Sequence, residues 1–288
     1  MASNSRNAKR RLLAPEVVQT SAMDCGPASL KCLLEGFGIH ASYGRLREAC
    51  QTDVDGTSID TIEEVAVQLG LEAEQIMVPE DHLLRAESRS LPAVVVTRLA
   101  NGVTHFVVIW RLHGRFVQVM DPGTGRRWLT REELLNKLYT HATEVPAADW
   151  REWASTANFL DPLRNRLGGL GLSKKFIAGL ISDAMSDAGW RKVAMLDAAT
   201  RMVDSIVRSG GIRKGRQASL ILSSSIEEAR GNPSTETEII PENYWLVRPA
   251  PPDSGGDEQL RLKGAVLVHV GGRRAADPRT DEGAPKLL

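Results

Sequence analysis

The chain has 288 residues, of which 42% are hydrophobic, so it is long enough to bury one large core or two modest ones. Its 36 basic residues balance 36 acidic ones, which leaves no overall charge to attract nucleic acid or an anionic membrane surface. The apolar run FVVIW at 106–110 has the length of a strand and is far too short for a membrane span. These properties predict a soluble globular protein with no nucleic-acid partner and no transmembrane segment.

The N-terminus and the cysteines favour a cytoplasmic protein that needs no cofactor. Residues 1–14 lack the apolar core of a signal peptide and are predicted to be a disordered tail. Cys25, Cys32 and Cys50 form no CxxC pair, which argues against both a disulfide framework and a zinc site. The chain also lacks a GxxxxGK[ST] phosphate loop. We therefore expect three reduced thiols, no metal and no cofactor.

Three helices are predicted in the opening third of the chain. Residues 26–37 have a proline in their first turn and are followed by a glycine, the usual start and stop signals of a helix. Shorter helical patterns cover 42–50 and 58–69, and Ser58 is placed to cap the latter.

An antiparallel sheet is predicted next, because β-branched and aromatic runs alternate with turn signals at 92–99, 104–110 and 115–121. A helix over 130–139 follows, with Thr130 and Glu133 at the spacing of a capping box. Helices followed by strands predict an α+β domain over 15–145.

The second half contains no recognisable site. Residues 146–235 are predicted to be a helical region of unknown role, because apolar helical patterns alternate there with glycine-rich joints. Residues 236–272 are predicted to form a β-hairpin-like segment around a Pro- and Gly-rich loop. Residues 273–288 are predicted to be a second disordered tail.

Cys25 stands where a helix begins, in the sequence MDCGP. The free amide groups and the dipole of that helix favour an anion, and a thiol attacks only as the thiolate. The alternative is a small buried apolar residue, which is the commonest fate of a free cysteine. Cys32 and Cys50 lack the favourable position, so the alternative is retained for both.

A histidine and an aspartate can be paired with this thiol from the geometry of a hairpin. A three-residue loop at 112–114 gives a register in which paired residue numbers sum to 226, and His105 then lies directly opposite Asp121. Cross-strand neighbours are close enough for a hydrogen bond between imidazole and carboxylate. Taken singly, His105 could be a core histidine and Asp121 a cap on the turn DPGTG.

Gln19 is the fourth candidate, six residues before Cys25. Attack on a peptide carbonyl creates an oxyanion, and donors aimed at it accelerate the reaction. The Gln19 side chain could supply one N–H and the Cys25 backbone another. A single glutamine is usually only a polar loop residue, so this assignment depends on its neighbours.

The segments QTSAMDCGPASLKCLLEGFG (19–38), THFVVIW (104–110) and VMDPGTGR (119–126) resemble the C39 family of cysteine peptidases, papain-like domains found at the N-terminus of bacterial peptide and bacteriocin exporters. The likeness extends over about residues 15–145. It implies a nucleophile, a general base and acid, an orienting carboxylate and an oxyanion donor, which are Cys25, His105, Asp121 and Gln19. It also implies cleavage of leader peptides after a Gly-Gly or Gly-Ala pair.

The resulting expectation is a cysteine endopeptidase that removes the leader from a small secreted precursor, such as a bacteriocin. Its expected partners are the precursor peptide and an ABC transporter, which would hold it at the inner face of the membrane. The family's exporters continue into transmembrane helices and an ATPase, and neither is predicted here. Three alternatives stay open: a domain that binds leaders without cutting them, a truncated N-terminal part of an exporter, and a protein whose function lies in its second half.

Overall fold

The computed structural model describes residues 10–52, 56–231, 239–251 and 258–274. The chain forms two compact units, and the first combines residues up to 84 with 89–140 and the C-terminal part from 265. The second unit consists of 85–88 and 141–264. Most of each predicted tail, residues 1–9 and 275–288, lies outside the described residues.

The first unit has the predicted α+β architecture. Its helices are α1 (Cys25–Gly36), α2 (Tyr43–Ala49), α3 (Ile59–Gln68), α4 (Glu80–Leu83) and α5 (Arg131–Leu135). Its strands are β1 (Leu71–Val78), β2 (Ala93–Arg98), β3 (Thr104–His113), β4 (Phe116–Asp121) and β5 (Gly125–Thr130), together with the second half of the last strand of the chain, β8 (Gln259–Arg273). All pairs are antiparallel, in the order β1-β8-β2-β3-β4-β5.

The helix signals in the sequence are confirmed at their starts. Ser58 accepts a hydrogen bond from the Thr61 amide at 3.1 Å, and Thr130 forms the predicted capping box with Glu133. The predicted helix over 130–139 is wrong in length, because α5 ends at Leu135. Lys137 and Tyr139 instead form backbone hydrogen bonds with β2, and these bonds replace the ones that would continue the helix.

The predicted hairpin register is wrong. The turn between β3 and β4 has two residues, 114–115, with Gly114 at φ +58°, and His113 pairs with Phe116 across it. A bulge in β3 then shifts the register, so that Val108 pairs with Met120. Paired residue numbers sum to 228 beyond the bulge instead of 226.

Helix α1 packs on β3 at a distance that only glycine permits. A Cβ atom at Gly36 would overlap the indole of Trp110, which is fully buried. At the other end of the helix, a Cβ atom at Gly26 would lie 2.9 Å from the Cβ atom of Thr57. The two glycines therefore let α1 approach its neighbours closely at both ends.

Residues 10–14, predicted as part of the tail, are ordered against the sheet. The Trp110 indole donates to the Arg11 carbonyl at 3.1 Å, and the Arg10 guanidinium lies 5.3 Å from the ring centroid. The Ala14 amide donates to the Gln118 side chain at 2.8 Å. The prediction failed because these contacts join residues about a hundred positions apart, which local composition does not show.

The second unit contains the predicted helical region. Its helices are α6 (Ala147–Trp153), α7 (Ala157–Gly169), α8 (Lys174–Met185), α9 (Arg191–Arg208) and α10 (Arg216–Gly231). Two strands, β6 (His141–Pro146) and β7 (Val247–Pro249), pair antiparallel with the first half of β8. Most of the loop predicted between β7 and β8 falls at 252–257, outside the described residues. No described helix of either unit is long and apolar enough to cross a membrane.

The C-terminal strand also differs from its predicted place. Residues 265–273 of β8 lie between β1 and β2 in the first unit, and Val268 pairs with Gln75 on one side and Val94 on the other. The segment predicted as a separate hairpin at 236–272 thus supplies an internal strand to the first unit. A fragment that ends near residue 146 would lack this strand.

We expect Leu267→Ala to lower the free energy of unfolding by about 2–5 kcal/mol, because Leu267 is fully buried in the core beneath β8. Lys263→Ala, at an exposed position of the same strand, should change it by less than about 0.5 kcal/mol. Urea unfolding followed by near-ultraviolet circular dichroism measures both. Equal stability of the two variants would contradict the internal position of β8.

Candidate active site

The four candidate residues line one cleft of the first unit. Gln19, Cys25, His105 and Asp121 all border it, and its volume of about 560 Å³ lies within the range of ligand sites, roughly 300–1,000 Å³. Much of the remaining lining is apolar and includes Met23, Val96, Leu99, Val103 and Phe106. The cleft thus brings one thiol, one imidazole and one carboxylate together beside a surface suited to a peptide.

Cys25 is the first residue of α1, and its side chain is partly exposed. Cys32 and Cys50 are buried. Burial raises the pKa of the Cys50 thiol to about 11, and burial, together with the negative charge of Glu35, raises the pKa of Cys32 even further. Both therefore stay protonated at neutral pH, which leaves Cys25 as the candidate nucleophile among the three.

His105 and Asp121 are in contact, although the register that predicted the contact is wrong. His105 Nε2 lies 2.9 Å from Asp121 Oδ1. In the observed register the residue facing Asp121 would be Val107, so His105 reaches the carboxylate diagonally. Because Nε2 is engaged by Asp121, Nδ1 is the ring nitrogen left for the Cys25 thiol.

Opposing effects act on the proton affinity of His105. Burial lowers its pKa, but the hydrogen bond to Asp121, the neighbouring Cys25 thiol and the Asp121 charge outweigh burial and raise the pKa to about 9. The imidazole is therefore protonated at neutral pH. An imidazolium beside Cys25 favours the thiolate, the form that attacks a carbonyl.

Asp121 is held by the turn that follows it. Burial alone would raise its pKa, but the pKa falls well below the usual range because the carboxylate accepts hydrogen bonds from His105, from the Thr124 hydroxyl at 2.8 Å and from the Gly123 amide at 2.9 Å. Arg127 adds an ion pair at 3.3 Å. Asp121 thus caps the turn and also contacts the imidazole, and its role in orienting the imidazole stays a prediction. Thr124 and Arg127 were not predicted, although both stand in or beside the turn motif.

Gln19 lies beside Cys25 with its side-chain amide weakly held. Its Nε2 donates to the Ala22 carbonyl at a long 3.4 Å, and its buried Oε1 has no hydrogen-bond partner among the residues that the structure describes. The backbone is anchored more firmly, since the Gln19 amide donates to the Pro122 carbonyl at 2.9 Å. The position of the amide therefore depends on the backbone of 19–24.

Residues 14–145 match the peptidase C39 family model. We call residues 14–145, which resemble the peptidase C39 family, the C39 segment. The C39 segment is also similar to the lactococcin G processing and transport ATP-binding protein of Lactococcus lactis, with 28% identity over 38% of this chain and 16% of that protein. An uncharacterised protein of Methanothermobacter marburgensis is 27% identical over 46% of this chain and 88% of its own length.

Solved structures also resemble part of the chain. The crystal structure of a double glycine motif protease from an AMS/PCAT transporter, in complex with the leader peptide, covers 47% of this chain and 89% of its own, with 24% identity and a TM-score of 0.40. Among the described residues, no cluster of His, Cys, Asp or Glu could hold a metal ion.

We expect iodoacetamide at pH 7 to label one thiol of the folded protein, Cys25, because Cys32 and Cys50 are buried and protonated. Mass spectrometry of tryptic peptides identifies the labelled residue. Cys25→Ala should remove the label, and urea should expose the other two thiols. Labelling of Cys32 or Cys50 in the folded protein would contradict this assignment.

The proton of His105 should be lost with a midpoint near pH 9, as followed by NMR of the imidazole. Asp121→Asn should lower the midpoint, because the charge that favours the imidazolium is lost, whereas Asp60→Asn on α3 should not. Since the folded pKa is raised, the contribution of His105 to stability is complete below about pH 6.5 and declines as the pH rises to 9. An unchanged midpoint in Asp121→Asn would count against the pairing.

Proposed function

We propose that the protein is a cysteine endopeptidase that cuts the leader from a small secreted precursor peptide, after a double-glycine-type site. One observation carries the proposal: a partly exposed cysteine at a helix N-terminus shares a cleft with a histidine–aspartate pair inside a C39 segment. This arrangement matches the needs of thiolate attack. The Cys25, His105, Asp121 and Gln19 roles predicted from the sequence are retained as part of the proposal.

In this reaction the Cys25 thiolate attacks the scissile carbonyl carbon and forms a tetrahedral oxyanion. The Gln19 side-chain amide and the Cys25 backbone N–H stabilise that oxyanion. His105 then gives its proton to the leaving amine, so the C–N bond breaks and the mature peptide departs. Water, deprotonated by His105, hydrolyses the thioester to release the leader.

The surroundings of Cys25 support small residues next to the cleaved bond. Gly26 packs against the Thr57 side chain, and Gly56 adopts φ +89° with the Met23 carbonyl 4.0 Å from where a Cβ atom would be. The loop at 56–57 therefore lies close to the start of α1 and leaves little room for substrate side chains next to Cys25. Residues without a bulky side chain, such as glycine, suit this approach.

The same proposal places the protein at the cytoplasmic side of the membrane with an ABC transporter. The names of the relatives support this part, since the lactococcin G protein of Lactococcus lactis and the pediocin PA-1 protein of Pediococcus acidilactici are both named for transport and processing. The matched segment makes up only 16% and 14% of those two proteins.

A domain that only binds leaders would not require the observed site. Binding needs an apolar surface, whereas a carboxylate that raises the pKa of an imidazole beside a thiol is an arrangement typical of catalytic sites. The polar part of the cleft thus favours cleavage over binding alone.

We expect a synthetic precursor that ends its leader in Gly-Gly to be cut once by the protein, after that pair, without ATP. Mass spectrometry of the products locates the cut. Cys25→Ala should reduce cleavage below detection, because no other group in the cleft replaces the thiolate. Cys50→Ala should keep normal cleavage, since Cys50 is buried outside the cleft.

Two outcomes would overturn the proposal. One is cleavage by Cys25→Ala at the wild-type rate, which would require another nucleophile. The other is equal cleavage of a precursor in which Val-Val replaces Gly-Gly, which would remove the proposed preference for small residues.

A further inference from the structure

A buried carboxylate stands directly before the candidate nucleophile. The side chain of Asp24 is 0% exposed. Its Oδ2 accepts a hydrogen bond from the Thr20 hydroxyl at 2.8 Å, and its Oδ1 forms an ion pair with Arg47 Nε of α2 at 2.9 Å. A carboxylate this deeply buried is stable only when such partners compensate its charge.

These contacts divert Asp24 from its ordinary role. Asp24 is the N-cap residue of α1, where an aspartate side chain usually accepts hydrogen bonds from the amides of the first helical turn. Here the side chain makes no capping hydrogen bond. The first amides of α1, including that of Cys25, are therefore not occupied by the carboxylate, and they stay available to an anion in the cleft.

The same contacts close the loop that carries Gln19. Thr20 is bonded to Asp24 through its hydroxyl, and its amide donates to the Tyr43 hydroxyl of α2 at 3.4 Å. The Asp24 amide donates to the Ser21 carbonyl at 3.2 Å. Residues 19–24 are thus tied to each other and to α2, whereas the Gln19 side chain has only the long bond to Ala22.

We infer that Asp24 is a positioning residue for the oxyanion site. Held by Thr20 and Arg47, it fixes the loop at 19–24 so that the Gln19 amide and the first amides of α1 face the reacting carbonyl. Arg47 also balances a negative charge that would otherwise oppose the thiolate. The inference rests on the proposed function, because it assigns a part to a residue within that reaction.

The test separates the oxyanion step from the nucleophile. Acylation of Cys25 by p-nitrophenyl acetate forms an S–C bond and expels p-nitrophenolate through an oxyanion, whereas alkylation by iodoacetamide displaces iodide at carbon without one. Both reactions are independent of any leader peptide. A role in positioning the oxyanion site predicts that changes at Asp24 slow the first reaction and spare the second.

We expect Asp24→Asn to slow acylation about 10- to 100-fold and to leave the alkylation rate within about twofold of wild type. The released Arg47 is half-exposed and can turn to solvent, so the fold should persist. Gln19→Ala should slow acylation about 10²- to 10³-fold. If Asp24 acts through the Gln19 loop, the double variant should be scarcely slower than Gln19→Ala. Asp60→Asn, in the first turn of α3, is the matched control and should behave as wild type.

Three results would overturn the inference: normal acylation of Asp24→Asn, multiplicative losses in the double variant, or parallel losses of acylation, alkylation and thermal stability. The last would indicate general structural support without an effect on the oxyanion site. A wild-type protein that is acylated no faster than Cys25→Ala would instead overturn the proposed function itself.

Discussion

The site depends on how closely α1 approaches the sheet. Gly36 faces the Trp110 indole and Gly26 faces Thr57, so both ends of the helix pack at positions with no room for a side chain in place of glycine. Because Trp110 and His105 both belong to β3, this one strand sets the position of the helix and the position of the imidazole. The close packing of a single helix on a single strand thus sets where the Cys25 thiol lies relative to the His105 imidazole.

Two carboxylates near Cys25 are each paired with an arginine. Asp24 precedes Cys25 in the sequence and forms an ion pair with Arg47, and Asp121 follows it and forms an ion pair with Arg127. Both arginines are roughly half-exposed. The carboxylates act on their neighbours through hydrogen bonds, while the positive charges of the arginines offset their negative charges at longer distance. Asp121 can therefore keep His105 protonated without placing a net negative charge beside the Cys25 thiol.

Local signals in the sequence predicted the parts of the first unit but not how all of them pair. The Ser58 cap and the box at Thr130 depend on neighbours three residues away, so the sequence displays them directly. The register between β3 and β4 depends on a β-bulge, and the alternation of apolar and polar residues in the sequence does not reveal it. The contact of His105 with Asp121 was still predicted because a diagonal neighbour on one face of a sheet remains within reach. The role of Asp24 was missed because its partner Arg47 belongs to another helix.

The strand β8 also constrains when the sheet of the first unit can be completed. A nascent chain emerges from the ribosome in order, and residues 14–145 are synthesised long before residues 265–273, which fill the sheet between β1 and β2. Until then the two edges that await β8 have no partner, and the sheet that carries His105 is incomplete. Pairings so distant along the chain form slowly. The complete sheet of the first unit can therefore form only after synthesis has passed β8, so the proposed peptidase activity, if it requires that sheet, would arise late in translation.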